Sequence, residues 1–142
     1  MKFLATALIA VATMAPSTAS AKHKKQACHT KKCEMRVLSK KCSQTRVLPC
    51  IYYAARRWHV SGAMLARKAR CESTLNPYAV GFAVHHGLFQ FLPSTFQTTP
   101  YKVYSGKDFK RRLFKRLYSA RYNSLAAAWM HHVGRGGEWQ CQ

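Results

Sequence analysis

Six cysteines, Cys28, Cys33, Cys42, Cys50, Cys71 and Cys141, constrain this chain more than any other feature, because all of them follow a leader-like start. Residues 1–21 read as a secretory signal peptide. Lys2 supplies the positive end, Phe3 to Ala15 a short apolar run, and Ala19-Ser20-Ala21 the small-residue cleavage pattern, so cleavage is expected after Ala21. The run is too short to span a bilayer, and Pro16 breaks its continuation. An even cysteine count in an exported chain reads as a disulfide framework. No C-x-x-C pair occurs, which weighs against a metal site. The expected mature protein is secreted, extracellular or held in a cell wall, and its length of about 120 residues suffices for one modest core.

Lys and Arg number 24 against 4 acids, for a formal charge of +20. Such a balance draws a protein toward polyanions. For an exported chain the expected partners are anionic cell-wall polymers or a membrane surface, with no specific nucleic acid and a monomeric state. Simple solubility is the bland alternative. The scarcity of acids also localises any carboxylate chemistry to Glu34, Glu72, Asp108 or Glu138.

Residues 22–47 form a basic, cysteine-containing arm without clear periodicity, expected to be tied down by disulfides and otherwise poorly packed. The folded domain is expected over 48–142. Pro49 opens a helix reaching about Trp58, and Ser61 caps a second that ends near Cys71 or Glu72. On the second helix Leu65, Ala69 and Glu72 share a face, and Arg67, Lys68 and Arg70 are assigned mostly elsewhere. Residues 76–87 read as loop or short hairpin, Pro93 starts a further helix, and 98–106 read as loop. Asp108 then caps a helix with an apolar stripe of Phe109, Leu113, Phe114 and Leu117. A last helix covers about Ser124 to Val133, before a glycine-rich tail. The fold class is mainly α (α+β), a small helical domain with a short hairpin, stabilised by disulfides.

Glycan cleavage needs a carboxylic acid that keeps its proton near neutral pH, and a poorly hydrated helix end favours the neutral form. Such a group can protonate the glycosidic oxygen of a leaving sugar. Glu72 has that placement. Glu34 lies in the basic arm, Asp108 at a helix start and Glu138 in the tail. On placement alone, a purely structural role for Glu72 is the commoner outcome.

Cys71-Glu72-Ser73-x-x-Asn76-Pro77, then Gly87-Leu88-Phe89-Gln90, then Pro93-Ser94-Thr95-Phe96 resemble the lytic transglycosylase (SLT) domain of the lysozyme-like superfamily. Tyr122-Asn123 with Ala126-Ala127-Ala128-Trp129 is similar to that family's later helix. The ending Trp139-x-Cys141 is similar to small secreted members from actinobacteria and their phages, which would make a virion-associated location an option. The resemblance covers residues 48–141. It implies a lysozyme-like fold with an active-site cleft, and cleavage of the bond between N-acetylmuramic acid and N-acetylglucosamine in peptidoglycan. Carried over by position, Glu72 is the catalytic acid/base and Ser73 holds it or a nearby sugar. Gln90 contacts the sugar beside the scissile bond, while Leu88 and Phe89 shape the cleft. His86 borders that motif and is assigned a cleft position, and Trp129 is assigned to sugar stacking alongside Trp139. The alternatives are a Gln90 bonded to its own hairpin, turn-forming Asn76 and Pro77, and tryptophans that serve the core. The resemblance also implies a Cys71–Cys141 disulfide. Of the remaining pairings, Cys42–Cys50 with Cys28–Cys33 is preferred on short separation alone.

One departure concerns a tyrosine that many members carry in the late helix, where its hydroxyl assists catalysis. Here Ala128 or Trp129 takes that place, leaving Tyr101, Tyr104 and Tyr122 as substitutes from elsewhere. With no second acid in the motifs, the family's single-acid route and 1,6-anhydro products are expected, hydrolysis of the goose-lysozyme type being the other outcome. The pairs His85-His86 and His131-His132 lack a third ligand at useful spacing, so neither metal nor cofactor is expected. The basic, amphipathic helix after Asp108 supports a rival from another class: a cationic wall- or membrane-binding protein, or a virion component with an inactive lysozyme-like domain.

Overall fold

The computed structural model describes residues 30–82, 84–139 and 141. The leader, its cleavage point and the first part of the arm, including Cys28, lie outside them. Among the described residues six helices and one small hairpin occur in chain order: α1 Lys31–Lys41, α2 Val47–Trp58, α3 Gly62–Ser73, β1 Val80–Gly81, β2 His85–His86, α4 Pro93–Gln97, α5 Phe109–Leu117 and α6 Ala120–His132. A 3-10 turn at Gly136–Glu138 completes the chain. The strands pair antiparallel, Val80 against His86 and Gly81 against His85.

The core forms where α6 lies against α2. Ala126, Ala127 and Ala128 are fully buried on α6, as are Cys50, Ile51 and Ala54 on α2. Small side chains let the two backbones approach closely, and Leu65, Phe89, Phe91 and Phe96 fill the space toward the hairpin. The fold is thus a small, mainly helical domain with a short hairpin and disulfides, as the sequence indicated.

Four local expectations change. The arm is not irregular throughout, since residues 31–41 form α1. Thr30 caps it by accepting from Cys33 N at 3.2 Å, Glu34 lies in its first turn, and Lys40 and Lys41 lie in its last. These charges suit the helix dipole. None of its residues is fully buried, so its apolar period is weak. A Glu34–Arg56 ion pair of 3.0 Å and the Cys42–Cys50 disulfide fasten it to α2. Second, α2 begins at Val47, with Pro49 inside the first turn, where its missing N–H costs nothing. Third, Asp108 stands at the N-cap of α5, as expected, but its side chain makes no capping hydrogen bond. Its backbone is left-handed (φ 59°) and its carboxylate bonds Arg111 at 2.8 Å instead. Fourth, α6 begins at Ala120, not near Ser124, because Ser119 caps it by accepting from Tyr122 N.

Candidate active site

Glu72 ends on a helix that stops abruptly. Ser61 caps the start of α3 by accepting from Met64 N at 3.2 Å. At the other end Thr74 turns left-handed (φ 53°), and its N–H reaches back to Ala69 O and Arg70 O. Asn76 Oδ1 then accepts from Tyr78 N at 2.9 Å, an Asx turn that takes the chain away. Leu65 and Ala69 are buried on the face that leads to Glu72. The Glu72 side chain is half-buried and lines a cleft of about 460 Å³.

The cleft floor depends on the tight turn Gly87–Gln90. His86 and Phe91 close it with paired backbone hydrogen bonds of 2.9 Å. Ser73 Oγ donates to Leu88 O at 2.8 Å or to Ala69 O at 3.1 Å, so it pins the turn to the end of α3. From the far side the fully buried Asn123 accepts from Phe89 N at 2.8 Å and donates to Leu117 O at 2.7 Å. Gly87 is obligatory here. Its φ is +81°, and a Cβ would strike Leu117 O and the Asn123 amide. Gln90 Nε2 donates to Gly87 O at 2.8 Å and to Ala79 O at 3.2 Å, bracing the turn against the hairpin. At Gly81, a Cβ would collide with Gln90 Oε1.

The third wall is the returning C-terminal segment. The Cys71–Cys141 disulfide ties it beside Glu72. Trp139 Nε1 donates to Phe89 O at 2.6 Å, its ring packs edge-on against Phe91, and His131 stacks parallel to it at 5.4 Å. Glu138, paired with Arg135 at 2.6 Å, lines the same cleft. So do Phe82 and His85 of the hairpin.

Of the residues assigned to a site from sequence, Glu72 and Gln90 meet at this cleft and Trp139 forms part of its wall. The side chains of Leu88 and Phe89 are fully buried, so they shape the cleft only from beneath. Ser73 bonds backbone carbonyls, not Glu72. His86 is buried away from the cleft, its Nδ1 bonded to Tyr118 Oη at 2.9 Å and its ring against Phe114. Trp129 is half-buried against the core and does not line the cleft. None of the substitute tyrosines reaches it. Tyr101 accepts from Trp58 Nε1 at 2.8 Å, Tyr122 lies beneath the Arg116 guanidinium, and Tyr104 is exposed beside Lys102. The Cys71–Cys141 and Cys42–Cys50 disulfides are present, and Cys33 is disulfide-bonded; its expected partner Cys28 lies outside the described residues. Among the described residues no cluster of three or more His, Cys, Asp or Glu side chains could hold a metal ion.

Among the cleft-lining residues that sequence reasoning missed are Phe82 and Glu138, and it also missed the burial of Lys68 nearby. Phe82 stands at the hairpin tip, 95 % exposed. Its signal was the run Val80, Phe82, Val84, apolar residues in a turn that buries none of them. Glu138 carried no signal, because only the fold-back of the tail brings it to the cleft. Lys68 is 7 % exposed under the C-terminal segment, not on the solvent face.

Burial lowers the proton affinity of two histidines. In His131 the cause is desolvation and then the nearby Lys68; in His86 it is desolvation and then His85. The unfolded chain binds protons at these sites more readily, so their contribution to stability is whole above about pH 6.5 and is lost as pH falls below it. Melting temperature should therefore decline from pH 7 toward pH 5. His131→Phe, which keeps the stack on Trp139, should flatten that decline; thermal scans across this range check it, and an unchanged slope would contradict it.

The model of the transglycosylase SLT domain family matches residues 49–127, more than half of the 142-residue chain. No curated protein and no solved structure matches the chain. The matched span begins within α2, contains Glu72, the Gly87–Gln90 turn and Asn123, and ends within α6. The chain belongs to the transglycosylase SLT domain family, whose lytic transglycosylase activity is directed at glycosidic bonds of peptidoglycan.

Proposed function

We propose that this chain cleaves the β-1,4 bond between N-acetylmuramic acid and N-acetylglucosamine, with Glu72 as its one general acid/base. The observation that carries this reading is the meeting of Glu72 and Gln90, from separate segments, on one cleft large enough for sugar rings. Glu72 in its acid form gives its proton to the glycosidic oxygen as the bond to the muramyl C1 breaks. The 2-acetamido group shields the cation-like C1, doing the work of a second carboxylate. The muramyl 6-hydroxyl then attacks C1 and returns its proton to the Glu72 carboxylate, leaving a 1,6-anhydro end. No water is consumed, and the acid is restored.

Phe82 offers a ring face to a sugar at the cleft mouth, where apolar C–H groups pack well against an aromatic ring. Phe82→Ala should raise KM for soluble glycan chains about threefold to tenfold with little change in kcat, since one stacking contact contributes about 1 kcal/mol. Steady-state assays on chains of defined length check this. An unchanged KM would remove Phe82 from the site.

A second reading rests on Glu138. With two carboxylates on the cleft, Glu138 would act with Glu72 in a hydrolytic reaction that leaves reducing ends. Its engagement by Arg135 favours a structural duty and hence the single-acid route. Glu138→Gln decides between them, because it spares the first mechanism and abolishes the second.

Export by the leader, which removes only Lys2 from a whole-chain charge of +20, leaves a strongly basic protein suited to a wall rich in anionic polymers. Lys110, Arg111, Arg112 and Lys115 are exposed on α5, and Arg111 and Lys115 lie on the side opposite its buried Leu113 and Leu117. The test is to incubate the mature protein with purified walls and measure soluble glycan fragments. Release supports the enzyme. Binding without release supports the cationic binder or the inactive virion component.

A further inference from the structure

We propose that the face where α5 meets the hairpin, on the side away from the cleft, is a docking surface for an anionic lipid membrane. It stands apart from the cleavage reading. The two strands are pleated, so alternate residues point to opposite faces of the hairpin. Gly81 and His85 pair with one another and line the cleft. Val80 and His86, the neighbouring pair, therefore share the other face. There His86 bonds Tyr118 Oη at 2.9 Å and sets its ring edge-on against Phe114 at 4.9 Å, which seats the hairpin on α5. Tyr78 extends this contact, its ring 6.4 Å from that of Tyr118.

The rim of this packing is apolar and open to solvent. Tyr78 is 60 % exposed and Val80 55 %, beside the half-buried Phe114 and Tyr118. Lys110 stands four residues before Phe114 and Tyr118 four after it, so the three share a stripe of α5. Lys115 follows Phe114 and flanks that stripe. Both lysines are exposed, and among the described residues neither enters an ion pair, whereas Arg111 is engaged by Asp108. Charge complementarity and apolar exposure together select the partner. An anionic polymer of the wall needs cations alone and gains nothing from a valine or a tyrosine beside them. A membrane with acidic headgroups attracts the lysines and also takes apolar and tyrosine side chains into its interface. Gly81, His85 and Glu72 line the cleft across the hairpin from this face, so a docked protein keeps its cleft open to glycan.

The test is flotation of the disulfide-intact protein with vesicles of phosphatidylcholine, alone or mixed with phosphatidylglycerol, at physiological ionic strength. The wild type should float with the mixed vesicles and not with phosphatidylcholine alone. Tyr78→Ser combined with Val80→Ser should lower the partition coefficient about threefold to tenfold. Lys110→Gln combined with Lys115→Gln should lower it on the order of tenfold. Lys40→Gln with Lys41→Gln removes the same charge from the end of α1 and should cost less than about twofold. Val80→Trp, at an exposed site, should tighten binding, and brominated lipid should quench its fluorescence beyond that of the wild type. This variant carries the test should the serine pair fail to fold. If the serine pair and Val80→Trp leave binding unchanged, or the two lysine pairs lose equally, net charge alone is at work and the proposal is overturned. A wild type that binds purified anionic wall polymer but no vesicle overturns it too. Vesicle binding is read without glycan, so a protein that floats as expected yet cleaves nothing loses the catalytic assignment and keeps the docking surface.

Discussion

Glu72→Gln should lower glycan release about a hundredfold to ten-thousandfold, the range supplied by one positioned acid/base. The substitution keeps shape and hydrogen-bonding capacity and removes only the transferable proton. Glu72 is half-buried, its described neighbours in the cleft include no ion-pair partner, and Ser73 holds backbone and not the acid. Melting temperature and wall binding should therefore stay close to wild type. That combination distinguishes a catalyst from a cationic binder, whose wall clearing would survive the change. Clearing of a wall suspension and co-sedimentation of the variant with walls give the two readouts. Undiminished clearing would end the enzymatic account.

Loss of the Cys71–Cys141 disulfide should be the largest stability change available in the described structure. The linked residues are 70 apart in sequence, and on the chain-entropy model such a loop is worth about 4 kcal/mol. Cys42–Cys50 closes a loop of separation 8, worth about 2.5 kcal/mol on the same model. Replacing Cys71 and Cys141 by Ser should lower the melting temperature by at least about 10 °C, and by more than the matching change at Cys42 and Cys50. Activity should fall further than stability requires, because the segment that is freed carries Trp139 and Glu138, one wall of the cleft. Calorimetry of the two double variants checks the order. A smaller loss at the long loop would show that the tail is held chiefly by the Trp139 and Lys68 contacts.

Much of this was legible in the sequence because it is written in local chemistry. Ser61 and Pro93 mark helix starts through capping and a fixed φ, which act within one turn. Gly87 marks its turn because no other residue fits between Leu117 O and Asn123. The Glu72 and Gln90 segments were found by resemblance, and only the fold explains why they meet: Ser73 and Asn123 pin the turn from two sides. What escaped was set by long-range contact. The lysine-rich α1 buries no residue fully, so its periodicity is weak. Lys68 was assigned away from the Glu72 face, and its charge argued for solvent; only the tail folding over it buries it. Glu138 reaches the cleft only because Cys141 returns to Cys71.

The most direct measurement is mass spectrometry of purified peptidoglycan digested by the disulfide-intact protein in water enriched in heavy oxygen. The single-acid mechanism predicts 1,6-anhydro-muramyl ends that carry no label, from the wild type and Glu138→Gln alike, and none from Glu72→Gln. Reducing ends labelled with heavy oxygen, lost when Glu138 is replaced, would contradict it.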